Sequence, residues 1–148
     1  MFHHKSLPGW SYMLPLLWLG ILLWIDLRTK YLFYNLGLYK ELSLIEPAMN
    51  MGISFSWAVP YIIVIPLSLW ALVWFSYLYH KRSFSKIVTL CLMAGTLGNM
   101  YDRVIYDGVR DFLVMPGMFI FNVADILLSV GMIFALYHMF THTQEKNM

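Results

Sequence analysis

Residues 57–79 read WAVPYIIVIPLSLWALVWFSYLY, a stretch without one charged side chain. A helix rises about 1.5 Å per residue, so roughly 20 residues cross a hydrocarbon core of roughly 30 Å. This run is long enough alone, and Pro66 inside it is tolerable where neighbouring helices satisfy the carbonyl it frees. Three more apolar runs flank it: Met13 to Ile25, Ile87 to about Met100, and Phe119 to Phe140. The last suffices by length. The first and third fall short, so their helices must continue into the polar residues that follow. That brings Asp26 and Lys30, and then Asn99, Asp102 and Arg103, to a membrane boundary. The expectation is an all-α membrane protein: one integral-membrane domain over residues 1–148, with four transmembrane helices near 11–30, 58–79, 86–105 and 119–140.

Composition agrees. The chain has 148 residues, 60% hydrophobic and 12% charged, with a mean hydropathy of +0.65. Soluble domains are roughly half apolar and a quarter charged, so too little polar surface remains here to cover a globule in water. A net charge of +2 with no long basic cluster argues against a nucleic-acid partner. Cys91 is the single cysteine, which excludes an intrachain disulfide, and in an apolar run it reads as a small buried hydrophobe. Asp26-Leu27-Arg28-Thr29-Lys30 follows the first run where a cleaved leader would carry small residues, so a retained helix is expected.

The connections divide by chemistry. Lys5, Lys81, Arg82, Lys86 and Lys146, with all five histidines, fall on one side; Arg28, Lys30, Lys40, Arg103 and Arg110 fall on the other. The count is even, but the short His80–Lys86 loop holds three basic residues and no acid, which marks a cytoplasmic face and puts both termini there. On the outer side, Tyr31 to Pro60 is a long connection in which Ile53-Ser54-Phe55-Ser56-Trp57 alternates as a short strand would. The second outer connection, Ile105 to Met118, carries the turn signals Asp107-Gly108 and Pro116-Gly117.

Polar groups at membrane depth are expensive and need a reason. Gly95, Asn99, Asp102 and Arg103 recur at helical spacing and share a face, as do Asn122 and Asp125, and Asp26 can pair with Lys30 four residues on. Each has a bland reading. Asp102 and Arg103 could be an interfacial ion pair, and Gly95 and Gly98 could allow close helix approach. Asp107 reads as a solvated turn residue. Asp111 and Asp125 are harder to dismiss together: with only Arg103 and Arg110 as near balancing charge, the surplus of acids must hold a proton. Zinc and serine–histidine chemistry fail because every histidine lies at the opposite face. A carboxylate pair suits aspartic-type hydrolysis, one acid polarising a carbonyl while the other deprotonates water.

At these residues the sequence resembles the bacterial lipoprotein signal peptidases, or signal peptidase II. The matching pieces run in family order: Asp26-x-x-Thr29-Lys30, Asn50-Met51-Gly52 with Phe55-Ser56, Gly95-x-x-Gly98-Asn99-x-x-Asp102-Arg103, Val109-Arg110-Asp111-Phe112, and Phe121-Asn122-Val123-Ala124-Asp125. The resemblance implies a four-helix enzyme of the bacterial inner membrane, with a small extracytoplasmic β/loop cradle between helices 1 and 2 and the active site at the outer face. It implies removal of the signal peptide from diacylglyceryl-modified prolipoproteins, cut before the lipidated cysteine. The catalytic dyad aligns with Asp111 and Asp125. Substrate-binding or supporting residues align with Asp26, Lys30, Asn50, Gly95, Asn99, Asp102, Arg103, Asn122 and Ala124. No metal and no cofactor are implied; the implied partners are lipid-modified prolipoproteins, membrane lipids and cyclic peptide inhibitors of the globomycin type. Leu27, Ser54, Ala94, Thr96 and Arg110 depart from the usual pattern, the last standing where an apolar residue is common. Both outer connections are shorter than is usual.

The rival readings are a small proton-coupled membrane transporter, a Gly-x-Gly-Asp membrane peptidase and a structural membrane subunit. A transporter usually has two related halves with interrupted helices, which this sequence lacks. Gly108-Val109-Arg110-Asp111 has the wrong spacing for the second.

Overall fold

A computed structural model describes residues 10–52, 61–81 and 83–146. Helix α1 covers Trp10–Thr29 and runs directly into a π-helical turn, Lys30–Asn35. Strand β1, Ile45–Asn50, lies in the first connection. Helices α2 (Tyr61–Lys81) and α3 (Lys86–Tyr106) follow, then strands β2 (Val109–Met115) and β3 (Phe119–Phe121), and finally α4 (Val123–Lys146).

Helix α3 is the centre of the bundle and packs against α1, α2 and α4. It starts where the Ser85 side chain accepts the Val88 N–H at 3.3 Å and stops where Asp107 turns left-handed at φ 57°. Small residues let α4 approach closely: a Cβ on Gly95 would meet the Ala124 carbonyl, and one on Gly131 would meet Leu92. Cys91 is buried as the sequence suggests.

The outer surfaces are apolar. Ile62–Lys81 and Val123–Thr141 are long and apolar enough to cross a membrane, and Ile62, Val73 and Phe140 are 82%, 69% and 70% exposed. Side chains of this kind turned outward over whole helices fit lipid rather than water. The interior at one end is the reverse. Asp26, Lys30, Asn99, Asp102, Arg103, Arg110, Asp111 and Asn122 are all buried there, and Lys30 is the largest side chain that is fully enclosed.

Two expectations need correction. The sheet is not confined to the connection between the first two helices: β1 pairs antiparallel with β2, and β2 with β3, so both outer connections build it. The run from Phe119 does not begin a helix, because Phe119–Phe121 folds back on β2. The turn is set by Pro116 and Gly117 (φ 75°), with Met118 N–H donating to the Met115 carbonyl at 3.0 Å. The alternating stretch 53–57 lies outside the described residues; the strand described in that connection is β1.

Candidate active site

Helices α1, α3 and α4, the π-turn and strands β1 and β2 all contribute to the polar cluster. On α1, Asp26 and Lys30 are one turn apart, and Lys30 Nζ sits 2.9 Å from Asp26 Oδ2. The π-turn begins at Lys30, and its wider winding suits a side chain that must turn inward. The ammonium also lies 3.4 Å from Asp102 and donates to Asn99 Oδ1 at 3.1 Å. Asp26 uses its other oxygen to accept the Ala124 N–H at 2.8 Å, which ties α1 to the first turn of α4.

Asp111 sits in mid-strand on β2, opposite Ala48 of β1, and is 2% exposed. Its Oδ2 accepts from Asn50 Nδ2 at 3.0 Å and its Oδ1 from Asn122 Nδ2 at 2.5 Å. Asp125, in the first turn of α4, accepts from Asn99 Nδ2 at 2.8 Å and from the Asn122 N–H at 3.1 Å. Asn122 therefore bridges the two carboxyls, its side chain on one and its backbone on the other, while its own Oδ1 accepts the Asp125 N–H at 3.0 Å. Each of the four carboxyl oxygens has an amide donor. Burial first, and then the neighbouring charge of Asp125, raise Asp111 to about 6 against the opposite pull of the Asn122 and Asn50 amides and Lys30.

The other residues singled out from the sequence lie in the same cluster. Arg103 donates to the Asn99 carbonyl at 3.2 Å and across to the Gly52 carbonyl at 3.2 Å. The Gly52 N–H in turn donates to Asn50 Oδ1 at 2.9 Å, fixing the amide that holds Asp111. Gly95 is pressed against Ala124 and Leu128. Asp102 is met by Arg110 at 2.7 Å as well as by Lys30, so its ion pairs reach over two other elements instead of staying within its own helix. Lys30 is thus a third balancing cation besides Arg103 and Arg110. Against Asp26, Asp102, Asp111 and Asp125 the cluster is still short of one positive charge.

Sequence reasoning left out three participants. The sequence marks Arg110 as a balancing charge and a departure from the family pattern but not as a partner of Asp102, and it does not single out Asn35, which accepts from Arg110 at 2.7 Å. Gly98 was read as a packing residue, yet its missing side chain makes room for the Asp26 carboxylate. The available signal was a buried-strand charge directly beside Asp111, and a second glycine three residues after Gly95.

Comparison with known proteins defines the class. Residues 18–141 match the profile of the family described as Signal peptidase (SPase) II. The chain is 32% identical to the lipoprotein signal peptidase of Pseudomonas syringae pv. tomato, over 84% of each chain. It is 30% identical to that of Pseudomonas putida, covering 88% of this chain and 90% of the relative. In fold it is similar to a bacterial membrane enzyme solved at 2.3 Å by the in meso method, with a TM-score of 0.78 at 22% identity over 91% of this chain and 92% of the other. The chain belongs to the signal peptidase II family. It is a membrane-associated hydrolase of the aspartic type.

Proposed function

We propose that this protein removes the signal peptide from diacylglyceryl-modified prolipoproteins, cutting before the lipidated cysteine, with Asp111 and Asp125 as the catalytic dyad. The observation that carries the reading is the Asn122 bridge, which holds two carboxyls from different elements, one on β2 and one on α4, in a single hydrogen-bonded unit. Asp111, pushed up to about 6, holds the shared proton and donates it toward the scissile carbonyl oxygen. Asp125 takes a proton from the attacking water. As the tetrahedral intermediate collapses, Asp125 gives the proton it took from water to the departing nitrogen while Asp111 takes one back from a hydroxyl of the gem-diol, which restores the singly protonated dyad and leaves a carboxylic acid and an amine.

Asp26, Lys30, Asn50, Gly95, Asn99, Asp102, Arg103, Asn122 and Ala124 support this dyad. Asn99 and Lys30 orient Asp125, while Asn50, Gly52 and Arg103 form a chain that orients Asp111. The whole chain acts as one integral-membrane domain. Four helices cross the bacterial inner membrane, α1 and α3 using their polar ends to reach the outer face, with both termini cytoplasmic. The sheet on that face suits an extended peptide, and the apolar helix flanks suit its lipid and membrane lipids. Cyclic peptide inhibitors of the globomycin type would compete for the same site.

The test is incubation of detergent-purified protein with a lipid-modified precursor. The parent releases the shorter product; Asp111→Asn and Asp125→Asn each abolish it, and the double variant is scarcely worse, because the two act as one unit. Appreciable turnover by either well-folded single variant removes the dyad assignment.

A further inference from the structure

Arg110 is a buried cation to which the dyad chemistry assigns no step, and it is heavily bonded. Its backbone N–H donates to Asp102 Oδ2 at 3.0 Å, Nε lies 3.3 Å from both Asp102 oxygens, and Nη2 donates to Oδ1 at 2.7 Å. Nη1 donates to Asn35 Oδ1 at 2.7 Å, and the guanidinium carbon stands 4.1 Å above the centroid of the Tyr106 ring. The planar fork thus fastens β2 to α3 and to the π-turn immediately beside Asp111. Neighbouring strand residues point to opposite faces, so Arg110 can grip α3 while Asp111 faces Asn122 and Asn50.

An apolar residue at this position would leave Asp102, among the described residues, ion-paired with Lys30 alone. Lys30 would then have two carboxylates to serve, Asp26 at 2.9 Å and Asp102 at 3.4 Å, and less hold on Asn99. Asn99 is the amide that holds Asp125. We propose that Arg110 is a positioning residue of the peptidase reaction: it clamps the Asp111 strand through Asp102 and, by neutralising Asp102, leaves Lys30 to Asp26 and Asn99. The proposal rests on the peptidase reading given above.

The charges that act on the Asp111 carboxyl are Asp125 from α4 and Lys30 from the start of the π-turn; beyond them α3 carries Asp102 and Arg103, and the strand of Asp111 itself carries Arg110, which faces Asp102. β1 brings the Asn50 amide, and its Glu46 is exposed, as is Asp107 at the end of α3. Removing the Arg110 cation leaves one more uncompensated negative charge, which makes Asp111 keep its proton to higher pH.

The experiment measures kcat/KM for a lipid-modified precursor against pH, with active sites counted by titration with a globomycin-type cyclic peptide. Arg110→Val is expected to lower the rate per active site about tenfold or more and to move the alkaline limb up by about one pH unit. Arg110→Lys keeps the charge without the fork, so the rate falls and the limb stays. Arg110→Val combined with Asp102→Asn removes the cation together with the charge it neutralises, and the limb returns toward the parent. If Arg110→Val does not survive purification, Arg110→Gln carries the same expectation. An active parent whose Arg110→Val or Arg110→Gln variant keeps the parental rate per site, or loses rate with no movement of the limb, overturns the inference alone. A parent that leaves the precursor intact removes the peptidase reading and the inference with it.

Discussion

Gly95→Ala is a one-carbon perturbation whose effect can be worked from the contact between α3 and α4. A Cβ at position 95 would lie 2.6 Å from the Ala124 carbonyl oxygen, 2.7 Å from Leu128 Cγ and 3.2 Å from Leu128 N. Two of these three are backbone atoms of α4 and cannot rotate aside. Ordinary contact begins at 3.4 Å, so α4 has to retreat by about 0.8 Å at Ala124. Ala124 immediately precedes Asp125, and its N–H is the donor to Asp26, so the retreat carries the proposed base and stretches the tie to α1. Overpacking of this kind costs about 1–3 kcal/mol of stability, or roughly 2–8 °C of melting temperature. Misplacing a catalytic group by about 1 Å can cost on the order of 100-fold in rate. The expected result is a folded protein, a few degrees less stable, that cleaves precursor about 30- to 100-fold more slowly. Gly20→Ala is the control, since a Cβ there meets nothing within 4 Å; it should cleave at the parental rate. Parental activity in Gly95→Ala would refute the idea that this contact sets the position of Asp125.

Asp111, raised to about 6, should set the alkaline limb of kcat/KM near that value in the parent, and a profile flat from about pH 5 to 8 would remove its role as the proton holder. Because the folded carboxyl binds its proton more tightly than the ordinary carboxylate range allows, its stabilising contribution is present in acid and lost as pH climbs from 3.8 to about 6. Asp111→Asn should therefore flatten the decline in melting temperature over that window, as differential scanning measurements in detergent can check. Arg103→Lys should lose most of its cleavage activity while expressing normally, because a point charge cannot reach both the Asn99 and Gly52 carbonyls as the guanidinium does; parental cleavage would reduce Arg103 to an electrostatic role. In a Cys91→Ser background, a membrane-impermeant thiol reagent applied to whole cells should label Glu41→Cys and spare Ser83→Cys, and the reverse pattern would invert the orientation.

The helices were legible because their signals are local. Apolar length marked α2, and the shared face of Gly95, Asn99 and Asp102 marked the working side of α3. A small sheet was implied by the resemblance, but its strands and their pairing were not legible, for a physical reason: Ile45-Glu46-Pro47-Ala48-Met49-Asn50 has little alternation, and its partner lies 61 positions away where Asn50 meets Asp111. Phe119–Phe121 is equally apolar as strand or helix, and only the Pro116-Gly117 turn decides between them. In the site, Asp26 and Lys30 could be paired from their spacing alone. The grip of Arg110 on Asp102 could not, since it depends on a left-handed residue, Asp107, turning the chain back on itself between the two. Asn122 was marked by its spacing from Asp125, but its double role needs β3 to deliver it between two carboxyls.

The hydrogen bond from Ala124 to Asp26 spans 98 positions, and the proposed dyad is divided between a strand and the last helix. A chain in which only α1, α2 and α3 have been made holds Lys30 and Arg103 yet lacks Arg110, Asn122 and both members of the proposed dyad. On the proposed dyad, the site is therefore completed only when the last helix docks, and a shorter chain is inert.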